Sequence, residues 1–192
     1  AVDLHIDMCK NGMNLLSNIT DLGVLDKRTL NKSDFFRSYD VSSFGGKIIT
    51  KPEDFELAAD KKVDEQFIMY LDRNADRIYY SSYGDKGKSG KDIYYSEKLP
   101  DGTWGDPQSI GSTINTPYDE DYPFFNSETN TMYFSSMGHN SMGGYDVFKS
   151  TYNPSTGAWS TPQNLDYAVN TPDNDFMYIT NASEKTAYFA TT

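Results

Sequence analysis

Acidic side chains supply most of the residues with chemical potential. Asp119-Glu120-Asp121 is an acidic run, and Asp175 follows it one repeat later. Paired carboxylates of this kind can hold Ca²⁺ through oxygen ligands or meet a basic partner, and the plain alternative is a solvated loop. Partner contact is the reading taken forward for Asp119, Glu120, Asp121 and Asp175. His139 joins them from a neighbouring glycine-rich loop, as an exposed residue rather than a ligand. No metal and no cofactor is assigned. Asp92 and Asp146 occupy equivalent positions, so they read as side chains capping turn amides ahead of a strand rather than as ligands.

Other patterns fall short of the chemistry they suggest. Asp72-Arg73-Asn74-Ala75-Asp76 opens like a calcium loop but lacks the later Gly and Glu, so it reads as a hairpin turn. Gly84 to Lys91 is glycine- and lysine-rich, yet it misses the order of a phosphate loop and no helix follows. The single cysteine, Cys9, has only His5 and His139 as candidate bases, so it reads as small apolar filler and not as a nucleophile.

The elements that must position these residues follow from composition and pattern. The 192 residues carry 17 Lys and Arg against 28 Asp and Glu, a net charge of -11. That excludes the clustered basic surface a nucleic acid or an anionic membrane needs. No apolar run approaches the roughly 20 residues of a membrane span. Aromatics make up 15% of the chain, which sets it apart from a disordered one and points to an aromatic-rich β core. The first residues, Ala1-Val2-Asp3-Leu4, do not resemble a signal peptide, so either the protein is cytosolic or a signal was removed before the numbering begins.

Residues 1–57 read as a partly helical, irregular appendage that packs against something larger. It has a short helix near 7–16, a helical turn at Phe35-Phe36 and a strand at Lys47 to Thr50. The repeat region is taken as 58–192, and from about residue 64 short strands alternate with turn signals. Here an internal repeat appears. Arg77 to Ser82 recurs as Thr131 to Ser136 and again as Thr186 to Thr191. Ile114-Asn115-Thr116-Pro117 recurs as Val169-Asn170-Thr171-Pro172, and Trp104 as Trp159. A spacing near 55 residues with four strand-like runs per unit is the makeup of a β-propeller blade. The units run 64–118, 119–173 and, in part, 174–192. Pro123 belongs where a strand edge is free. Gly143 and Gly144 are expected to provide positive φ before the third strand. The expected fold is mainly β, with four-stranded antiparallel blades of an incomplete propeller and a small helical N-terminal segment. Two full units and part of a third suggest a portion of a longer protein.

Tyr133-Phe134-Ser135-Ser136, then Gly143-Gly144-Tyr145-Asp146-Val147-Phe148, then Gly157-Ala158-Trp159-Ser160-Thr161-Pro162-Gln163-Asn164-Leu165 and Asn170-Thr171-Pro172 carry a resemblance. They resemble the PD40 (WD40-like) repeats of TolB-type propellers, in the form found in OmpA-family envelope proteins of Bacteroides-like bacteria. Some of those proteins serve type IX secretion. The first unit departs from the pattern at Ser89-Gly90-Lys91-Asp92. The resemblance implies a non-catalytic interaction scaffold at the periplasm or outer-membrane periphery, with an envelope protein as partner. It also implies structural roles for Trp104, Trp159, Asp92, Asp146, Gly143 and Gly144, the tryptophans sealing packing between blades.

Two other classes stand beside this one: a carbohydrate-binding or glycan-processing propeller, and a structural spacer leading to a cell-wall-binding domain. Pro100-Asp101-Gly102-Thr103-Trp104 is similar to the Asp-box of sialidase propellers. Its spacing is one residue short on each side of the Gly, and only four arginines, Arg28, Arg37, Arg73 and Arg77, are available for a substrate carboxylate.

Overall fold

Aromatic and β-branched runs, bounded by Asn, Asp and Gly, favour a pleated, half-buried surface over a helix. The computed structural model describes residues 2–17, 19–84 and 90–192, and it is mainly β. Helix α1 (Val2–Leu15) comes first. Short 3-10 turns at Phe35–Ser38, Ser42–Phe44, Glu53–Phe55 and Asp60–Lys62 follow among extended stretches.

Strand β1 (Gly46–Thr50) pairs antiparallel with β2 (Ile68–Asp72), Gly46 lying opposite Asp72 and Thr50 opposite Ile68. Next, β3 (Arg77–Ser82), β4 (Asp92–Glu97) and β5 (Gln108–Ser109) form one sheet in that order. A further sheet holds β6 (Glu120–Asn126), β7 (Thr131–Ser136) and β8 (Asp146–Asn153). The short β9 (Ala158–Trp159) and β10 (Gln163–Asn164) both pair with β8. The short helix α2 (Asp166–Val169) leads into a last antiparallel pair, β11 (Asp175–Thr180) and β12 (Ala187–Thr191).

The alternation along each strand sorts side chains onto two faces. On β7, Met132 and Phe134 face one apolar cluster while Tyr133 faces another. The first cluster joins Tyr79, Ile93, Ile110 and Ile114 to Met132, Phe134 and Phe148, so it fills the space between the β3–β5 and β6–β10 sheets. The second joins Phe124 and Tyr133 to Phe176, Met177 and Ile179 of β11. A third, around Met69, Ile78 and Tyr80, lies on the other face of β3. The layers therefore stack in chain order from β3 to β12. Trp104 borders the third cluster and Trp159 the first.

Three expectations change. The first concerns β2, whose ladder partner is β1 and not β3. The segment at 72–76 is therefore a corner between sheets: the Asp72 carboxylate accepts the Asn74 amide at 2.8 Å, and the Arg73 amide reaches Gly45 O at 3.1 Å. Glycine at 46 makes the β1–β2 approach possible, since a Cβ there would stand 2.4 Å from the Tyr70 ring. The second concerns the N-terminal region, which is integral to the core: Phe35, Phe36 and Val41 are buried in the cluster with Phe176. The third concerns Gly143 and Gly144, which do not adopt positive φ. They are needed for space, because a Cβ on Gly143 would meet Thr171 O and Asp173 O at 2.5 Å, and one on Gly144 would meet Asn174 Oδ1 at 2.3 Å.

Pro123 sits where its missing N–H does least harm. It lies on the edge strand β6, inside a bulge between Asp121 and Phe124, with Tyr122 at φ 51. The same bulge recurs in β11 between Phe176 and Ile179, with Met177 at φ 58.

Phe134 is fully buried between two sheets. Phe134→Ala is expected to lower stability by about 3–5 kcal/mol, read as a fall in the urea midpoint without loss of the β circular-dichroism signal.

Candidate functional site

One end of the sheets gathers nearly every polar residue singled out above. It is built from the C-terminal ends of β3, β7 and β12 and the first residues of β4, β6, β8 and β11. The Asn-Thr-Pro segments shape it. Asn115 accepts the Ile93 amide at 2.8 Å and donates to Ile93 O at 3.1 Å. Asn170 repeats this on Val147, at 2.7 and 2.9 Å. Each asparagine thus stands in for a strand neighbour at the start of β4 or β8.

The acids follow. Glu120 accepts the Thr116 amide and hydroxyl, both at 2.7 Å, and the Ser136 hydroxyl at 2.6 Å. Asp175 accepts the Thr171 amide and hydroxyl in the same way. Asp60 is the earlier counterpart, accepting the Leu57 amide at 3.0 Å and the Ser82 hydroxyl at 2.7 Å. Glu120 and Asp175 are the first residues of β6 and β11, and Asp60 opens the 3-10 turn ahead of β2. Asp146 does related work one step later, accepting the Met142 and Gly143 amides and Asn164 Nδ2 at 2.9, 3.1 and 2.7 Å. Asp92 opens β4 opposite Ser82 as Asp146 opens β8 opposite Ser136.

Two lysines are drawn into this end. The Lys51 ammonium lies 2.8 Å from Asp60, with both side chains buried, and donates to Ser81 O at 2.7 Å. Lys91 lies 2.6 Å from Asp121 and 2.5 Å from Glu65. Both ammonium groups face the Phe67 ring, at 4.0 and 5.7 Å. Ser81 donates its hydroxyl to Asp121, and Tyr145 donates to Asp119 at 3.3 Å.

The electrostatics follow from burial. Desolvation pushes the Glu120 and Asp175 carboxyls up, and lifts Asp146 to about 6 against the donors around it. Desolvation acts on Asp60 in the same sense, but the hydrogen bonds from Lys51, Ser82 and the Tyr83 amide outweigh it and hold the group below its ordinary value. Lys51 is pushed down by burial, ahead of the opposing pull of Asp60. Burial also disfavours the Lys91 ammonium, but Asp121 and its neighbours outweigh it and raise the pKa.

The placement of the acidic run departs from the expected exposed loop. Glu120, Asp121 and Asp175 are buried, and Asp119 is half-buried with its carboxylate on the Lys91 amide at 2.8 Å. A short acidic stretch beside Pro117 reads as solvated, yet each carboxylate has hydroxyl, amide or lysine donors that offset part of its desolvation, although Asp175 Oδ1 has no hydrogen-bond partner among the described residues. His139 is exposed. Its Nε2 lies 2.8 Å from Ile114 O and its ring packs on Phe134 and Phe148. Lys51 and Asp60 escaped the sequence reading. The signal was present, because Asp60 precedes Ser82 as Glu120 precedes Ser136, but over 22 residues rather than 16. The glycine-rich segment from Gly84 to Lys91 lies at 85–89 outside the described residues.

Among the described residues no group of three His, Cys, Asp or Glu side chains is placed to hold a metal ion, and no helix is long and apolar enough to cross a membrane. Comparison with protein-family models, curated proteins and solved structures finds no match to this chain.

Lys51→Met would leave Asp60 buried without its counter-ion. A loss of about 3 kcal/mol is expected, near the low end for a broken buried pair because three other donors remain on Asp60, measured by urea denaturation at pH 7. A carboxyl whose pKa is raised by folding binds protons more tightly in the folded state, so stability falls as pH rises from the ordinary value of 3.8 to about 6. Asp146→Asn is expected to flatten the urea midpoint across that window, removing a slope of at most ~1.4 kcal/mol per pH unit.

Proposed function

We propose that the chain is part of a β-propeller of the PD40 type and works as a non-catalytic protein-interaction scaffold in the envelope of a Gram-negative bacterium. The observation that carries the propeller reading is the recurring connection. Glu120 and Asp175 hold the entries to β6 and β11 through the amide and hydroxyl of a threonine four residues upstream, Asp60 takes the Ser82 hydroxyl as Glu120 takes that of Ser136, and successive sheets pack face to face through aromatic clusters. Repeated units that contact only their neighbours are the logic of such folds. The envelope location rests on the resemblance of the repeat motifs.

The scaffold reading rests on how the polar residues are used. Most carboxylates and hydroxyls at this end are engaged with one another and with backbone amides, Glu120, Asp60 and Asp146 among them; Asp175 Oδ1 and the Ser135 hydroxyl are buried without a hydrogen-bond partner among the described residues. What this end presents to solvent is a set of loop residues, Pro117, Tyr118, His139, Asn140, Pro172 and Asp173, on rigidly anchored connections. Loops held by a fixed frame are the usual carriers of recognition. Asp119 and Asp173 give the surface acidic character, which suits a partner with basic residues and an association rate that falls with salt.

The test is a binding comparison using envelope extract from the source bacterium and the immobilised chain. A double variant, Tyr118→Ala with Asp173→Lys, is expected to lose the retained partner at least tenfold. Asp101→Lys, in a turn at the opposite end of the sheets, is expected to keep it. Equal retention by both variants would remove this end as the docking face.

A further inference from the structure

Helix α1 carries two apolar stripes, and the fold buries only one. Leu4, Met8, Gly12 and Leu15 share the face turned toward the rest of the molecule, where Gly12 is buried and the others half-buried. On that face Asn11 Nδ2 donates to Ser141 O at 3.0 Å, and a Cβ on Gly12 would stand 2.7 Å from the Tyr167 hydroxyl. Ile6, Cys9, Met13 and Leu16 form the second stripe, roughly 130° away around the helix. All four are exposed, Ile6 at 47% and Met13 at 71%. A surface helix ordinarily turns one stripe inward and clothes the remainder in polar side chains.

The second stripe has the spacing of a seam between helices. Its members follow one another at intervals of three, four and three residues, and the residue four before Ile6 extends it to position 2. Apolar exposure is concentrated around it: of twelve exposed large apolar side chains among the described residues, eight lie within 6–30. Such a concentration marks an association surface. A lipid surface fits it poorly, because the polar side chains of α1 include Asp3 and Asp7 against Lys10 alone, and the chain carries a net charge of -11.

We propose that this stripe is a self-association surface, covered by α1 of a second copy of the chain lying antiparallel across a two-fold axis. The charges beside the stripe choose that occupant. Asp3 and Lys10 are exposed along its solvent-side border, and among the described residues Lys10 meets only Asp7 of its own helix, at 3.4 Å. When Ile6 of one copy faces Cys9 of the other, residues 2 and 13 face one another in the same way, and Asp3 of each copy lies beside Lys10 of the other. Sliding the pair by one heptad to bring in Leu16 would set the two Lys10 ammonium groups against each other. A parallel pair would set Lys10 beside His5 and leave Asp3 without a basic neighbour. The antiparallel register is therefore the one in which the seam and its border agree. Cys9 of the two copies then lie close to the axis, in adjacent layers. Few side chains per copy take part, so the association is weak, at the small end of specific interfaces.

The test is sedimentation equilibrium of the full chain between roughly 5 and 500 μM, the range in which an interface of this size associates. A reversible dimer is expected, joined through its single cysteine by a short bis-maleimide. Met13→Glu is expected to weaken it roughly tenfold or more with an unchanged circular-dichroism spectrum, by placing a charge in the seam. Asp3→Lys and Lys10→Asp are each expected to weaken it roughly fivefold, and the two together to restore it, since the border pairs re-form with their signs exchanged. A chain that stays monomeric throughout the range would overturn the proposal, whether or not it floats with phosphatidylcholine vesicles. So would a dimer indifferent to Met13→Glu, or one in which the double exchange is weaker than either single change.

Discussion

A carboxylate removed from water must be met by donors, and this chain places three of them where it passes from one sheet to the next. Asp60, Glu120 and Asp175 each accept a backbone amide three or four residues upstream. Asp60 and Glu120 also accept a serine hydroxyl from the ends of β3 and β7. Desolvation of an unpaired carboxylate is so unfavourable that the connection has few alternatives to this shape. The aromatic clusters supply most of the apolar burial, but burial is non-directional. It is the clamp that sets where each connection ends and which strand comes next.

Much of this architecture can be read from the residues. The alternation in Thr131 to Ser136, and its recurrence near 55 residues on either side, specifies three equivalent strands, of which β3 and β7 are buried on both faces. The order β6, β7, β8 and the Pro123 bulge follow from local rules. What stays hidden is non-local. β1 lies outside the repeat, so nothing in Gly46 to Thr50 announces that it takes up the ladder of β2. The acidic run looks solvated because a sequence shows the charges and not the donors that fold around them. The glycines at 143 and 144 signal a tight place, but not whether the tightness is dihedral or steric.

The two junctions between sheets share a backbone plan and differ in chemistry. Where the first uses Lys91, Asp121 and Ser81, the second has Tyr145, Phe176 and Ser135. The Ser81 hydroxyl reaches Asp121, while the Ser135 hydroxyl is buried without a hydrogen-bond partner among the described residues. One junction is ionic, whereas the other rests on Tyr122 stacked against Phe176 at 5.4 Å.

Because the backbone plan is common, each junction behaves as an interchangeable socket whose occupants must change together. Tyrosine in place of Lys91 alone would strand Asp121, and aspartate in place of Phe176 alone would bury a charge beside Tyr122. Single replacements are penalised and matched ones are not, so the shared plan lets neighbouring units diverge in polarity while still stacking in the same order. A chain built this way can carry a charged seam and an aromatic seam side by side, with no change in how either is threaded.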